Sequence, residues 1–283
     1  MKRTLIVLFG MLIAALSTPL RAQQNSLLWK VSGNGLSSPS YLYGTIHIMC
    51  DQTALEPFVT DVIGKSGKVY LELDLDDPGL QNQIQKLSID PSMQEFYDQL
   101  DAFDKDAINE FLREKYNADL TQLGMLKPFA LMTLILVKRV PCDQFTSMED
   151  LIMKMARSKG KRIIGLETVA FQMGVFDKIP KEDQMQWIMD ILDSDYEYEF
   201  QDMLDAYKEQ DLEELEYLMQ ESPGFENYVG LMIYDRNRDW IPKIEAAMKQ
   251  GSTFVAVGAG HLSGSQGVLT LLEDKGYTVE PVK

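Results

Sequence analysis

The sequence predicts an α/β fold: a mixed central sheet flanked by helices, with a largely helical middle region. Three observations carry this. Short apolar runs rich in β-branched or aromatic residues stand at both ends of the chain, and they read as buried strands. Between residues 147 and 168 a capped helical stretch, a glycine and a short apolar run follow one another, which is an α/β unit. Helical periodicity fills most of what lies between.

Residues 1–22 combine a basic start (Lys2, Arg3), an apolar run from Leu5 to Leu16 and the small residue Ala22 before Gln23. That is the pattern of a secretory signal peptide, which implies export to a periplasmic or extracellular space. No later run approaches the length of a membrane span, so stable membrane insertion is not expected. The remainder, residues 23–283, is expected to form a single domain with helical lobes around 78–160 and 180–250. The chain carries a formal charge of −16, and losing the three cations of the leader takes it to −19. Such a chain is repelled by phosphate backbones, which argues against nucleic acid as a partner.

Leu27 to Val31 reads as a first strand, with Tyr41 to Ile48 as its hairpin partner. Ala54 to Lys65 reads as a helix in which Pro57 is tolerated in the first turn. Lys68 to Leu75 alternates like a strand, setting Tyr70, Glu72 and Asp74 on one face. Glu72 could then face a polar cleft or simply solvent. Pro78 to Val140 is helical, with breaks near Asp90-Pro91 and Gly124 to Pro128. Ser147 is a plausible N-cap for the helix to Lys159, which Gly160 ends. Arg162 to Thr168 is another short buried strand, closing on Glu167. From Lys181 to Glu226 there are sixteen acids and two lysines among helically spaced apolar residues, which reads as amphipathic helices with solvated acidic faces or as an acidic lobe over a cleft. Helix then runs through Arg236 to Lys249, followed by a strand from Thr253 to Val257, a helix from Val268 and a terminal strand from Tyr277.

The two histidines of the chain close matching segments, Gly44-Thr45-Ile46-His47 and Gly258-Ala259-Gly260-His261, each preceded by an apolar run. Each histidine is thereby delivered just past the end of a strand, the edge at which ligands bind in open α/β sheets. No zinc-protease helix, serine nucleophile elbow, phosphate loop or dinucleotide fingerprint is present. What remains is His47 and His261 with Glu72, Glu167 and Arg236. Two imidazoles and a carboxylate suit a divalent metal such as Mn, Co or Zn. His47, His261 and Glu72 are the expected ligands, with Glu72, Glu167 and Arg236 serving catalysis. In a hydrolase a metal-held water would lose its proton to a carboxylate while Arg236 steadied the oxyanion. Cys50 and Cys142, the only cysteines, are expected to form a disulfide in an exported chain; a Cys50 nucleophile activated by His47 is the weaker alternative.

These segments, with Leu71-Glu72-Leu73-Asp74, Gly165-Leu166-Glu167-Thr168 and Tyr234-Asp235-Arg236-Asn237, resemble the motifs of the TraB/GumN family, which includes the animal Tiki proteins. The resemblance implies a fold like that of the erythromycin esterase and ChaN group, and a metal-dependent peptidase in which His47, His261 and Glu72 are active-site residues supported by Arg236 and Glu167. It leaves two alternatives: a non-catalytic protein holding haem, iron or a peptide in the same cleft, and an ester hydrolase. The expected partner is therefore a peptide or small-molecule substrate. The sequence does not fix the oligomeric state.

Overall fold

The computed structural model describes residues 25–50, 55–142, 144–193, 196–222 and 224–282; the expected signal peptide, residues 1–22, lies outside them. Six strands, β1 (Leu28–Gly33), β2 (Ser40–Thr45), β3 (Lys68–Leu71), β4 (Ile163–Gly165), β5 (Thr253–Gly258) and β6 (Tyr277–Pro281), form one mixed sheet in the order β4-β3-β5-β2-β1-β6. The strands β4, β3, β5 and β2 run parallel to one another, while β1 is antiparallel to both β2 and β6. The turn between β1 and β2 uses Gly33, Asn34 and Gly35, all with φ between 43° and 79°. Glycine and asparagine reach that left-handed region at least cost. The central strand β5 is buried from Thr253 to Val257, as a strand covered on both faces must be.

Parallel neighbours need long crossovers, and helices supply them. The first is Pro57–Lys65, in which the proline occupies the helix start, where its missing N–H costs nothing. The helices between β3 and β4 gather a second hydrophobic core of their own. Met93, Tyr97, Ile108, Leu112, Leu131 and Ile135 meet Met185 and Ile188 of the Lys181–Asp193 helix there, apart from the core around the sheet. Breaks fall at Asp90-Pro91 and Gly124 to Pro128 as read, where Ile89 bridges Leu126, and also at residues 99–101 and 117–119, which the sequence reading did not give. Ser147 caps the Met148–Ser158 helix by accepting from the Asp150 N–H, and Gly160 leaves it with φ +66°. Among the acidic helices, Tyr196–Lys208 and Leu212–Glu221 bury Phe200, Leu204, Leu212 and Leu215 against the sheet core, while Asp202, Asp205, Glu213 and Glu214 are exposed. These four acids are solvated, as on the outer face of an amphipathic helix.

Several strands are shorter than read: of Arg162 to Thr168 only Ile163–Gly165 is strand. The strand read over Lys68 to Leu75 stops at Leu71. Beyond it Asp74 accepts from the Asp76 N–H, and the Asp77 N–H bonds back to the Asp74 carbonyl, so the aspartates that resemble the polar face of a strand close a turn. Likewise β2 ends at Thr45, and His47 lies two residues past it.

Cys50 and Cys142 form a disulfide, with Cα atoms 5.5 Å apart. Beside it Met49 and Thr146 exchange two backbone hydrogen bonds, and the Met148 N–H donates to the Ile46 carbonyl at 3.2 Å. The segment after the first histidine is thus pinned to the start of the Met148–Ser158 helix.

Candidate functional site

Four of the singled-out side chains leave the same edge of the sheet. His47 follows β2, Glu72 follows β3, Glu167 follows β4 and His261 follows β5, in each case just beyond the carboxyl end of a parallel strand. The ladder between β3 and β4 continues past both strands through Leu166 N–H to Leu71 O and Glu167 N–H to Glu72 O, which sets the two glutamates side by side. Across the β2–β5 pairing Gly44 stands opposite Val257 and Thr45 opposite Gly258, so the two glycines are one register step apart. Neither needs a left-handed backbone. A methyl group on Gly44 would meet the Ala259 Cβ and Leu262 Cδ1 at 3.1 Å, so this glycine makes room for the second Gly-x-x-His segment.

Arg236 joins His261 to the glutamates. It sits one residue into the Asp235–Lys249 helix, which a π-turn over Gly230–Tyr234 precedes; such turns recur where a helix must aim a functional side chain. Its Nη2 donates to Glu72 Oε2 at 2.5 Å and to Glu167 Oε1 at 2.7 Å, its Nε to Glu167 Oε2 at 3.3 Å, and its Nη1 to the Met232 carbonyl at 2.9 Å while facing His261 Nε2 at 3.1 Å. A guanidinium has five N–H groups, and here each has a partner. The Trp240 indole N–H donates to Glu167 Oε2 at 3.0 Å, and the guanidinium lies over that ring at 4.8 Å. Glu72 also accepts from the Gly258 N–H and from Gln172, both at 2.9 Å. Burial alone would raise the Glu72 carboxyl, but His261, the Arg236 guanidinium, His47 and the Gly258 N–H outweigh it and hold it down at about 2. The carboxylate is charged at neutral pH.

His261 is the opposite case. Its side chain is 5 % exposed, and burial pushes its pKa down to about 3. The Asn237 amide NH2 donates to the His261 and Gln266 carbonyls, so its oxygen must face His261 Nδ1, at 2.6 Å. Nδ1 therefore carries the proton and Nε2 presents a lone pair, as in the usual arrangement of a metal-ligating histidine. His261 Nε2 stands 4.0 Å from Glu72 Oε1, too far for a direct hydrogen bond.

His47 is open to solvent, its side chain 72 % exposed. Its Nδ1 meets Glu149 Oε1 at 2.9 Å, and Thr45 Oγ1 donates to the same oxygen at 2.6 Å. The hydrogen bond and charge of Glu149 raise the imidazole to about 9. Tyr207, reaching in from the acidic helices, donates to the Gly44 carbonyl at 2.9 Å.

The donors fit a divalent metal in kind: two imidazoles, one with the correct tautomer, and an ionised carboxylate. Their present spacing does not gather them. Among the described residues no three His, Cys, Asp or Glu side chains stand close enough together to hold a metal ion, because Arg236 fills the space between Glu72, Glu167 and His261. A cavity of about 290 Å³ lined by Phe171, Val175, Leu231 and Arg236 borders this cluster. A larger groove, about 1080 Å³, runs along Trp29, Tyr41 and Phe58 and includes none of the five predicted residues.

The structure thus joins Glu72, Glu167, Arg236 and His261 in one hydrogen-bonded cluster and leaves His47 at its margin with Glu149. Sequence reasoning missed Glu149, Asn237, Trp240 and Gln172. Trp240 shares the helix of Arg236 at a spacing of four, which is a usable signal, whereas Asn237 at a spacing of one gives none. In the sequence Glu149 looks like an ordinary acid in a first helical turn, and Gln172 like a surface residue.

No curated protein and no solved structure matches the chain. A family model described as the TraB/PrgY/gumN family matches residues 27–281. With nearly every described residue inside that match, the chain belongs to the TraB/PrgY/gumN family.

Proposed function

We propose that this protein is an exported metal-dependent hydrolase acting on peptides. The observation that carries the reading is the convergence of an ionised buried carboxylate, Glu72, and a neutral imidazole lone pair on His261, 4.0 Å apart at the carboxyl edge of the parallel strands. Arg236 spans these two groups, with Nη2 on Glu72 and Nη1 on the His261 Nε2 lone pair, so a metal at this place requires the Nη1 contact to give way. His47, Glu72 and His261 would hold a Mn, Co or Zn ion, which when bound supplies a water of lowered pKa.

The chain's own residues have separate tasks. Asn237 fixes the His261 tautomer from behind. Glu167 and Trp240 hold Arg236, and Arg236 holds Glu72 charged. Arg236 positions and charge-balances the glutamates, and the Nη1 N–H that a metal on His261 Nε2 would release is the donor left for an oxyanion. His47 stands at the open side, where an incoming substrate arrives. The Cys50–Cys142 disulfide supports an oxidising, exported setting, and no helix among the described residues is long and apolar enough to cross a membrane.

The test is metal binding by the chain lacking residues 1–22, compared with a His47→Ala/His261→Ala double variant, followed by peptide and ester panels with and without metal. Binding lost in the variant together with metal-dependent peptide cleavage is the expected result. Absence of metal binding in the wild type, or a haem absorption band that the double variant loses, would replace the reading with a ligand-binding one.

A further inference from the structure

Glu149 belongs to neither Gly-x-x-His segment, yet its carboxylate is held in an unusual way. Its side chain is 17 % exposed, and Oε1 receives both the Thr45 hydroxyl and His47 Nδ1. Its second oxygen, Oε2, is buried and has no hydrogen-bond partner among the described residues. A carboxylate kept only for folding would have both oxygens satisfied, since an unpaired buried acceptor destabilises the fold. Glu149 lies in the first turn of the Met148–Ser158 helix, and three independent ties fasten that turn to the His47 segment: the Met49–Thr146 pair, the Met148 N–H to Ile46 O bond and the Cys50–Cys142 disulfide.

We infer that Glu149 is the positioning residue for His47: it fixes the ring through Nδ1 and so turns Nε2, the nitrogen on the far side, toward solvent. An imidazole 72 % exposed has no packing to hold its orientation, and without a partner it would sample several rotamers. A carboxylate behind one ring nitrogen is the general means of committing the other to a ligand or a proton. Thr45, two residues before His47, clamps the same oxygen, so the first Gly-x-x-His segment carries its own means of holding Glu149. Arg236 and Glu72 reach His47 electrostatically but make no contact with it, which leaves Glu149 as its only hydrogen-bonding partner among the described residues. The inference rests on the proposed reading only in giving His47 a ligand to meet.

The chain has two histidines, so its imidazole N–H resonances can be assigned without ambiguity. At low temperature and neutral pH the wild-type chain lacking residues 1–22 should show two hydrogen-bonded downfield Nδ1 protons, His261 on Asn237 and His47 on Glu149. Glu149→Ala should remove the His47 resonance and leave that of His261. Ser147→Ala, which loosens the same helix start without touching His47, should leave both. A His47 resonance absent from the wild type, unchanged in Glu149→Ala, or lost equally in Ser147→Ala would overturn the inference. With Mn or Zn added, Glu149→Ala should weaken binding about ten- to a hundred-fold, the usual effect of removing such a partner. Wild-type protein that binds no metal would sink the metal-dependent hydrolase and leave the resonance test standing.

Discussion

The two Gly-x-x-His segments begin alike and end in opposite environments. Both follow parallel strands that pair directly, β2 and β5. Yet His261 is buried with its pKa pushed down to about 3, while His47 is exposed with its pKa raised to about 9. The cause is what each loop meets. After β5 the chain turns under the Asp235–Lys249 helix, and His261 is enclosed by Asn237, Arg236 and the Trp240 ring, 4.5 Å away. After β2 it runs outward to a disulfide, and a single carboxylate stands behind His47. A repeated motif therefore supplies one buried imidazole held by an amide and one exposed imidazole held by a carboxylate, which a symmetric pair could not.

The buried half should be the more fragile. Arg236→Met leaves Glu72 and Glu167 buried without a counter-charge, and stability measured by denaturant unfolding should fall by about 3–5 kcal/mol. On the exposed half the largest effect should come from the covalent tie. Replacing Cys50 and Cys142 by serine opens a loop with a sequence separation of 92, and should cost about 2–5 kcal/mol in the same measurement.

The histidines themselves sharpen the contrast. His261→Ala strands Arg236 Nη1 and Asn237 Oδ1 beside a cavity, and should cost about 2–4 kcal/mol. His47→Ala removes an exposed pair and should cost at most about 1 kcal/mol. Equal costs would show that the two environments differ less than their geometry requires.

The smallest effect is in pH. A raised pKa means that the folded state holds the His47 proton more tightly, so its contribution to stability is complete below its ordinary value of 6.5 and is lost as pH rises through about 9. The depressed His261 acts in the other direction: its contribution is complete above 6.5 and is lost as pH falls toward about 3. Thermal unfolding of His47→Gln should flatten only the alkaline window. A change confined to the acid side would contradict the assignment.

Much of the frame is legible in the chain itself. The strand runs ending in Gly-x-x-His, the Ser147 cap, the Gly160 stop and the helical breaks at Asp90-Pro91 and Gly124 to Pro128 are local signals, set by side-chain period and backbone preference within a few residues. They place five chemically active residues near strand ends and helix starts, and four of these share one sheet edge. The end of β3 escapes such reading because Glu72, Leu73, Asp74 and Leu75 continue an alternation that the Asp74 carboxylate interrupts by closing a turn, while Asp76 accepts from the Ile163 N–H of β4.

What the sequence by itself determined is therefore the kind of group available and its distance from a strand end. Tertiary structure alone decided which groups touch. Arg236 reaches Glu72 across 164 residues and Glu149 reaches His47 across 102, and no local pattern encodes such contacts. They depend on strand order, which brings β5 between β3 and β2, and on surroundings: burial lowers the pKa of one imidazole while Glu149 raises that of its twin.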